Sequence, residues 1–135
     1  MIATNQSGVG RGLFDTQMLE KIHRKMMHSI HSAGGELRGI FVCPHRPDEN
    51  CSCRKPKPGL LRQIEEAYSC KLTGQPAIGD SRRDLDAAIA VGAKPVLVRT
   101  GNGRTTEKSL TAADNVAVFD DLAGAANALI RDKAN

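Results

Sequence analysis

The sequence predicts an α/β protein with a three-layer, doubly wound parallel sheet. Short apolar runs of strand length alternate with amphipathic runs of helical period, which is the pattern of a parallel sheet with helices on both faces. Polar residues come directly after several of the apolar runs, as they do where strands end at a ligand site. A chain of 135 residues suffices for one core, so residues 1–135 are expected to form a single domain.

The first half of the chain contains two strands and one long helix. The opening Met1–Ala3 is a very short strand, and the buried run LRGIFVC at 37–43 is the second. Between them, apolar residues recur at three- and four-residue steps over 16–33, which predicts a helix. Asp15 or Thr16 is its expected cap, and Gly34-Gly35 is its expected stop. A loop rich in Pro and Cys fills 44–58.

The second half alternates in the same way. The run LLRQIEEAYS predicts a helix at 60–69, and PAIGD predicts a strand at 76–80 that ends on a carboxylate. We expect next a helix at 84–92 that is closed by glycine, a strand at 94–101 and a polar loop at 102–109. A strand at 116–119 and a final helix at 121–133 follow.

Composition and charge exclude several classes of protein. The net charge of +4 permits an anionic partner, but the basic residues are dispersed apart from RKPK at 54–57. Aromatic residues make up only 3% of the chain, which disfavours single-stranded nucleic-acid binding, because that binding uses aromatic faces for stacking. There is neither an apolar run of membrane-spanning length nor a signal-peptide pattern. We therefore expect a cytoplasmic monomer that binds no nucleic acid and no membrane.

Four metal-binding residue types lie close together in the loop CPHRPDENCSCRKPKPG. Cys43, His45, Cys51 and Cys53 supply three thiolates and one imidazole, a set that zinc favours in closed structural sites. Unrelated buried cysteines or a disulfide are the alternatives, and a cytosolic setting disfavours the disulfide. Cys70 stands apart and is expected to be a packed thiol.

Three further stretches contain residues that handle phosphate groups. Arg54 and Lys55 follow the last predicted metal ligand, where a rigid loop would hold both cations in place, although a solvated basic run is an equal alternative. Asp80 ends a strand and offers the oxygen ligand that magnesium prefers, although such Gly-Asp pairs are common in turns. Together with Thr4 and Asn5, these groups would surround one phosphoryl group.

The glycines near the start do not form a known nucleotide-binding fingerprint. GVGRGL fits neither G-x-G-x-x-G nor G-x-x-x-x-G-K-S/T. We therefore interpret residues 8–12 as a flexible turn from which Arg11 could reach a ligand.

Three motifs occur along the chain in this order: TNQSGVGRG, CPHRPDENCSCRKPKPG and IGDSRRDLDAA. Through them the chain resembles the D-glycero-D-manno-heptose 1,7-bisphosphate phosphatases of the haloacid dehalogenase superfamily. The resemblance implies a magnesium-dependent phosphatase that removes the C7 phosphate on the route to lipopolysaccharide heptose, with a structural zinc. It also implies that Thr4 and Lys55 stabilise the phosphoryl group and that Asp80 binds magnesium. Substrate contacts are implied for Asn5, Gln6, Ser7 and Arg54. Ser81 lies at the position where many relatives have a lysine that contacts the substrate, so a substrate contact is implied there too.

The resemblance also implies a D-x-D-G motif whose first aspartate attacks the phosphoryl group. No such motif precedes Thr4, and the D-x-D at 84–86 lies in a predicted helix, where side chains two apart face different ways. Asp120-Asp121 has the wrong spacing. The resemblance therefore implies a form shortened at its N-terminus by about forty residues, including the central strand of the sheet, as judged from the usual layout of that family.

Two alternatives remain open at this stage. The substrate could be histidinol phosphate, because the histidinol-phosphate phosphatases share the TNQ element and a similar zinc loop. The chain could also be a catalytically inactive, zinc-stapled module that binds a phosphorylated ligand. An in-frame D-x-D-G upstream of Met1 in the coding DNA would favour the enzyme, and a stop codon directly before Met1 would favour the module.

Overall fold

A computed structural model of the chain describes residues 1–134, so Asn135, the last residue of the expected domain, lies outside the described part. The elements in chain order are the strand β1 (Ile2–Asn5), the helices α1 (Ser7–Gly10) and α2 (Thr16–Ser32), β2 (Ile40–Cys43), α3 (Gly59–Ala67), β3 (Pro76–Gly79), α4 (Arg82–Ala90), β4 (Lys94–Val98), α5 (Gly103–Glu107), β5 (Ala117–Phe119) and α6 (Leu122–Ala134). Short 3₁₀ turns occur at Pro47–Glu49 and Ala112–Asp114.

All strand pairs are parallel, which confirms the predicted α/β class. In the described residues, hydrogen bonding divides the strands into two sheets, one with the order β1-β2 and one with the order β3-β4-β5. The registers pair Ile2 with Ile40 in the first sheet and Pro76 with Lys94 in the second. Within each sheet the parallel strands place their carboxyl ends at one edge, so the residues after β3 and β4 can contribute to one site.

Two stretches that the sequence analysis left without regular structure are helical. The predicted turn at 8–12 is replaced by the single-turn helix α1, and the predicted polar loop at 102–109 contains α5. Both are stabilised by contacts remote in sequence: the Gly10 backbone N–H donates to the Pro44 carbonyl, and the Thr106 hydroxyl donates to the Asp80 carbonyl. Such contacts have no local pattern, so the sequence analysis was wrong at both places.

The apolar core lies mainly in the second sheet and the helices that cover it. Leu85, Ala87 and Ala88 on α4 and Leu97 on β4 are at most 1% exposed. Helix α2, in contrast, buries Leu19 but leaves Met18 and Ile22 about half exposed. A sheet of two strands offers little surface to cover a 17-residue helix. Among the described residues, no helix has both the length and the hydropathy needed to cross a bilayer.

Candidate active site

The four predicted metal ligands lie together in the structure. Their ligand atoms are all within 4.8 Å of one another. The Sγ atoms of Cys43 and Cys51 are 3.6 Å apart, and His45 Nδ1 lies 3.3 Å from Cys53 Sγ. The bond lengths of tetrahedral zinc imply edges of about 3.6 to 3.8 Å between such ligands. The cluster, made of three thiols and one imidazole, therefore fits a structural zinc ion.

The thiols of this cluster influence one another's protonation. At Cys51 burial raises the pKa, but hydrogen bonds from Cys53 and from the Arg54 backbone outweigh it and lower the pKa to about 7. At Cys53 burial and the two neighbouring thiols raise the pKa to about 12. A cation among the ligands would favour the thiolate form, because metal binding displaces protons from cysteine.

The loop at 44–58, which contains most of the predicted metal ligands and is called the metal loop below, is attached to the start of the chain by backbone hydrogen bonds. The Gln6 N–H donates to the Cys43 carbonyl at 2.7 Å, and the Gly10 N–H donates to the Pro44 carbonyl at 3.1 Å. The Arg54 guanidinium donates to the His45 carbonyl at 3.3 Å. The predicted substrate contact Arg54 is thus held against the metal loop, and the loop conformation sets the position of its side chain.

Lys55 reaches from the end of this loop to two other elements. Its Nζ lies 2.5 Å from Asp84 Oδ1 on α4 and donates to the Ala3 carbonyl of β1 at 2.8 Å. The two charged side chains are only 16% and 17% exposed, so water screens their attraction less than at the surface. Burial raises the pKa of Asp84, but hydrogen bonds from Lys55 and Ser81 outweigh it and hold the pKa below its ordinary 3.8.

Asp80 lies at the end of β3 and is held by the turn after β4. Its Oδ2 accepts the Asn102 backbone N–H at 2.8 Å and the Asn102 side-chain amide at 3.3 Å. Gly101 adopts a φ of +58°, and a Cβ at this position would overlap the Asp80 carboxylate. The turn therefore requires glycine here both for its backbone angle and for the space beside Asp80. The carboxylate oxygens are of the type that binds magnesium, so Asp80 fits its predicted role.

A cavity of about 760 Å³ lies between the edges of β1 and β3, and its lining includes Ala3 and Gly79. Lys55, Asp80 and Asp84 line this cavity together, with Thr100 at the end of β4. A cation and two carboxylates thus face one space beside the ends of the strands. Much of the remaining lining is aliphatic, for example Leu61, Ile64 and Ile78, so the three charged side chains are the part of it that suits a phosphate group and a divalent cation.

The other predicted site residues are not among those that line the cavity. The Thr4 hydroxyl accepts a hydrogen bond from the Gln6 amide at 3.0 Å, and Asn5 binds the backbone of Lys55. Ser7 is the first residue of α1, and Arg11 follows this helix on the surface. At the start of α4 the Ser81 hydroxyl donates to Asp84 Oδ2 at 2.6 Å. The roles predicted for these residues stay predictions.

Asp84 is the site residue that the sequence analysis missed. It was set aside there as half of a D-x-D pair, and the two carboxylates do diverge: Asp84 pairs with Lys55, and Asp86 pairs with Arg82. A usable signal was present, since Ser81 and Asp84 form a capping box in which each side chain binds the other residue's backbone. The local pattern could not predict the ion pair with Lys55, because Lys55 lies 29 residues earlier in the chain.

Comparison with known proteins assigns the chain to a class. The family model described as HAD-hydrolase-like matches residues 52–125. The D-glycero-beta-D-manno-heptose-1,7-bisphosphate 7-phosphatase of Bordetella bronchiseptica is 48% identical over 98% of this chain and 74% of its own length. The enzyme of the same name from Pseudomonas putida is 51% identical over 96% of this chain and 73% of its own length.

A solved structure agrees with these matches. The crystal structure of D,D-heptose 1,7-bisphosphate phosphatase from B. bronchiseptica complexed with magnesium and phosphate superposes with a TM-score of 0.92 and 48% identity. The match covers 97% of this chain and 74% of that chain. The fold, the family model and the site together define a haloacid dehalogenase-like hydrolase, as predicted.

Within that class the chain belongs to the D-glycero-beta-D-manno-heptose-1,7-bisphosphate 7-phosphatase family, a family of phosphoric monoester hydrolases. The names of these relatives favour the heptose interpretation over the histidinol phosphate alternative.

Proposed function

We propose that residues 1–135 supply the phosphate-binding lysine and the magnesium-binding carboxylate of an enzyme that removes the C7 phosphate from D-glycero-D-manno-heptose 1,7-bisphosphate. The observation that carries this proposal is that Lys55, Asp80 and Asp84 line one and the same cavity. The names of the relatives support the choice of substrate. We also propose that the enzyme acts as a cytoplasmic monomer and that its zinc is structural.

Each residue of the site would have a different role in binding a phosphate group. The Lys55 ammonium, oriented by Asp84 and the Ala3 carbonyl, can donate to a phosphoryl oxygen and stabilise the charge that develops there. Arg54 would recognise a second anionic group of the substrate, since guanidinium pairs well with phosphate. Asp80 would hold Mg²⁺, which supplies charge neutralisation when it is bound.

The test is a phosphate-release assay with heptose 1,7-bisphosphate and Mg²⁺, applied to this chain and to the product of the full open reading frame that contains it. We expect release of the C7 phosphate, followed by ³¹P NMR, from a product that contains a D-x-D-G motif, with histidinol phosphate a much poorer substrate. Residues 1–135 contain no such motif, so this chain alone should release little phosphate. Asp80→Asn should abolish the Mg²⁺-dependent release of phosphate, because the variant loses the proposed Mg²⁺ ligand. Lack of hydrolysis by both proteins, or a preference for histidinol phosphate, would contradict the proposal.

A further inference from the structure

The side chain of Asn5 makes two hydrogen bonds, and both go to one residue of the metal loop. Its Nδ2 donates to the Lys55 carbonyl at 3.2 Å, and its Oδ1 accepts the Lys55 backbone N–H at 3.1 Å. A carboxamide thus pairs with Lys55 as a neighbouring strand would, through one donor and one acceptor. The contact joins the end of β1 to a loop fifty residues later in the chain.

The same lysine is held at its other end by different groups. Lys55 Nζ contacts Asp84 at 2.5 Å and the Ala3 carbonyl at 2.8 Å. Ala3 and Asn5 both belong to β1, and Ala3 makes its contact through its backbone carbonyl. The strand therefore holds the ammonium group with a backbone carbonyl and the lysine backbone with a side chain two residues later.

The chemistry of the pair requires a carboxamide of this length. An aspartate at position 5 could accept the Lys55 N–H, but it could not donate to the Lys55 carbonyl when ionised. A leucine has a similar volume and offers neither group. Both changes would leave polar backbone atoms of a partly buried loop without a protein partner, which costs free energy.

We infer that Asn5 is a positioning residue that sets the location of the Lys55 ammonium beside Asp84, and that it contributes to phosphate binding through Lys55. This differs from the substrate contact that the resemblance implies for Asn5. The inference rests on the proposed role of Lys55, so its test must distinguish a failure of that role from a failure of the positioning.

The central experiment is a double-mutant cycle on the affinity for inorganic phosphate, measured by ³¹P NMR or calorimetry in the presence of Mg²⁺. Two hydrogen bonds of this kind are worth about a tenfold change in affinity, so Asn5→Leu should weaken phosphate binding about tenfold. Lys55→Met should weaken it at least as much. If Asn5 acts through Lys55, the double variant should bind phosphate no more weakly than Lys55→Met.

Each other outcome of the cycle has a definite meaning. A further loss of affinity in the double variant would show that Asn5 contacts phosphate itself and would overturn the inference. Unchanged affinity in Lys55→Met would overturn the proposed function of the lysine instead. Lys57→Met is the matched control, because Lys57 is an exposed lysine two residues further along the loop that bonds Asn50. It should leave phosphate affinity unchanged.

A second measurement follows the positioning without any phosphate. The charged side chains that line the cavity with Asp84 are Lys55 and Asp80, and Met1, which carries the α-amino group, lines it as well. Since Lys55 lowers the pKa of Asp84, Asn5→Leu should raise the pKa of Asp84 in carboxyl ¹³C NMR, toward the value in Lys55→Met. Asn5→Asp should also be measured, because it keeps the acceptor. A pKa of Asp84 unchanged by Asn5→Leu would overturn the inference, provided that zinc content shows an intact loop.

Discussion

Two parts of the chain line the cavity: the sheet β1-β2 with the metal loop, and the sheet β3-β4-β5 with its helices. They hold their site residues by different means. Around the metal loop the buried cluster consists of Cys43, Cys53 and Leu60, and two of these three are predicted metal ligands. In the part that carries Asp80, most of the buried side chains are aliphatic, for example Leu85 on α4, Leu97 on β4 and Ala125 on α6, and Thr106 on α5 is a buried polar residue. One part is stabilised by ligands and polar contacts, and the other by apolar burial.

This difference indicates how the site depends on its surroundings. Lys55 is positioned by the metal loop, Asn5 and Asp84, so it depends on contacts between segments that are far apart in sequence. Asp80 is positioned by a turn on a packed sheet, and Asn102 supplies both hydrogen bonds to its carboxylate. Damage to the metal loop should therefore affect lysine and carboxylate unequally.

The largest effect should come from removing the metal ligands. Structural zinc binding is worth about 10–16 kcal/mol in zinc-finger peptides, more than a small apolar cluster supplies. We expect Cys51→Ser/Cys53→Ser to lose one zinc per chain by elemental analysis. Hydrogen exchange should accelerate in β1, β2 and residues 44–58 and change little in β4. Cys70→Ser is the control and should keep its zinc, because Cys70 lies outside the cluster. Full zinc retention in the double variant would disprove the assignment.

A smaller effect, in the opposite part, should follow from Leu97→Ala. Leu97 is 0% exposed on β4, and deleting a buried leucine costs about 2–5 kcal/mol through lost burial and the cavity left behind. Urea unfolding should show this loss, while the zinc content stays at one per chain. Leu13→Ala should change stability little, because Leu13 is 73% exposed. A loss of zinc in Leu97→Ala would mean that the two parts are not separable in this way.

The smallest effect on stability should come from Gly101→Ala, which tests how Asp80 is held. Gly101 and Gly74 both have positive φ, at +58° and +74°, so alanine at either position should cost about 1 kcal/mol. A Cβ at position 74 would meet nothing within 4 Å, whereas one at position 101 would meet the Asp80 carboxylate. Gly101→Ala alone should therefore raise the Mg²⁺ concentration for half-maximal activity, by about tenfold. Equal Mg²⁺ responses in both variants would show that the turn does not position Asp80.

Local patterns predicted most of the elements because they arise from nearby residues. The helix expected at 16–33 is found at Thr16–Ser32, and Asp15 caps it by accepting the Met18 N–H at 2.7 Å. Residue type and close spacing alone predicted that Cys43, His45, Cys51 and Cys53 form a cluster that could hold a metal ion, and these four residues do lie together. Boundaries were less certain: the strand expected at 37–43 begins at Ile40, where pairing with Ile2 starts.

The sequence by itself determined the α/β class, the ligand set of the metal loop and the family, because these depend on periodicity, residue type and motif order along the chain. Only the tertiary structure decided which strands pair and that Asp84 meets Lys55. It also decided that Asn5 holds the Lys55 backbone and that Gly101 makes room for Asp80. The physical reason is that each of these contacts joins groups about twenty to fifty residues apart, and the interaction of such groups leaves no trace in any local pattern.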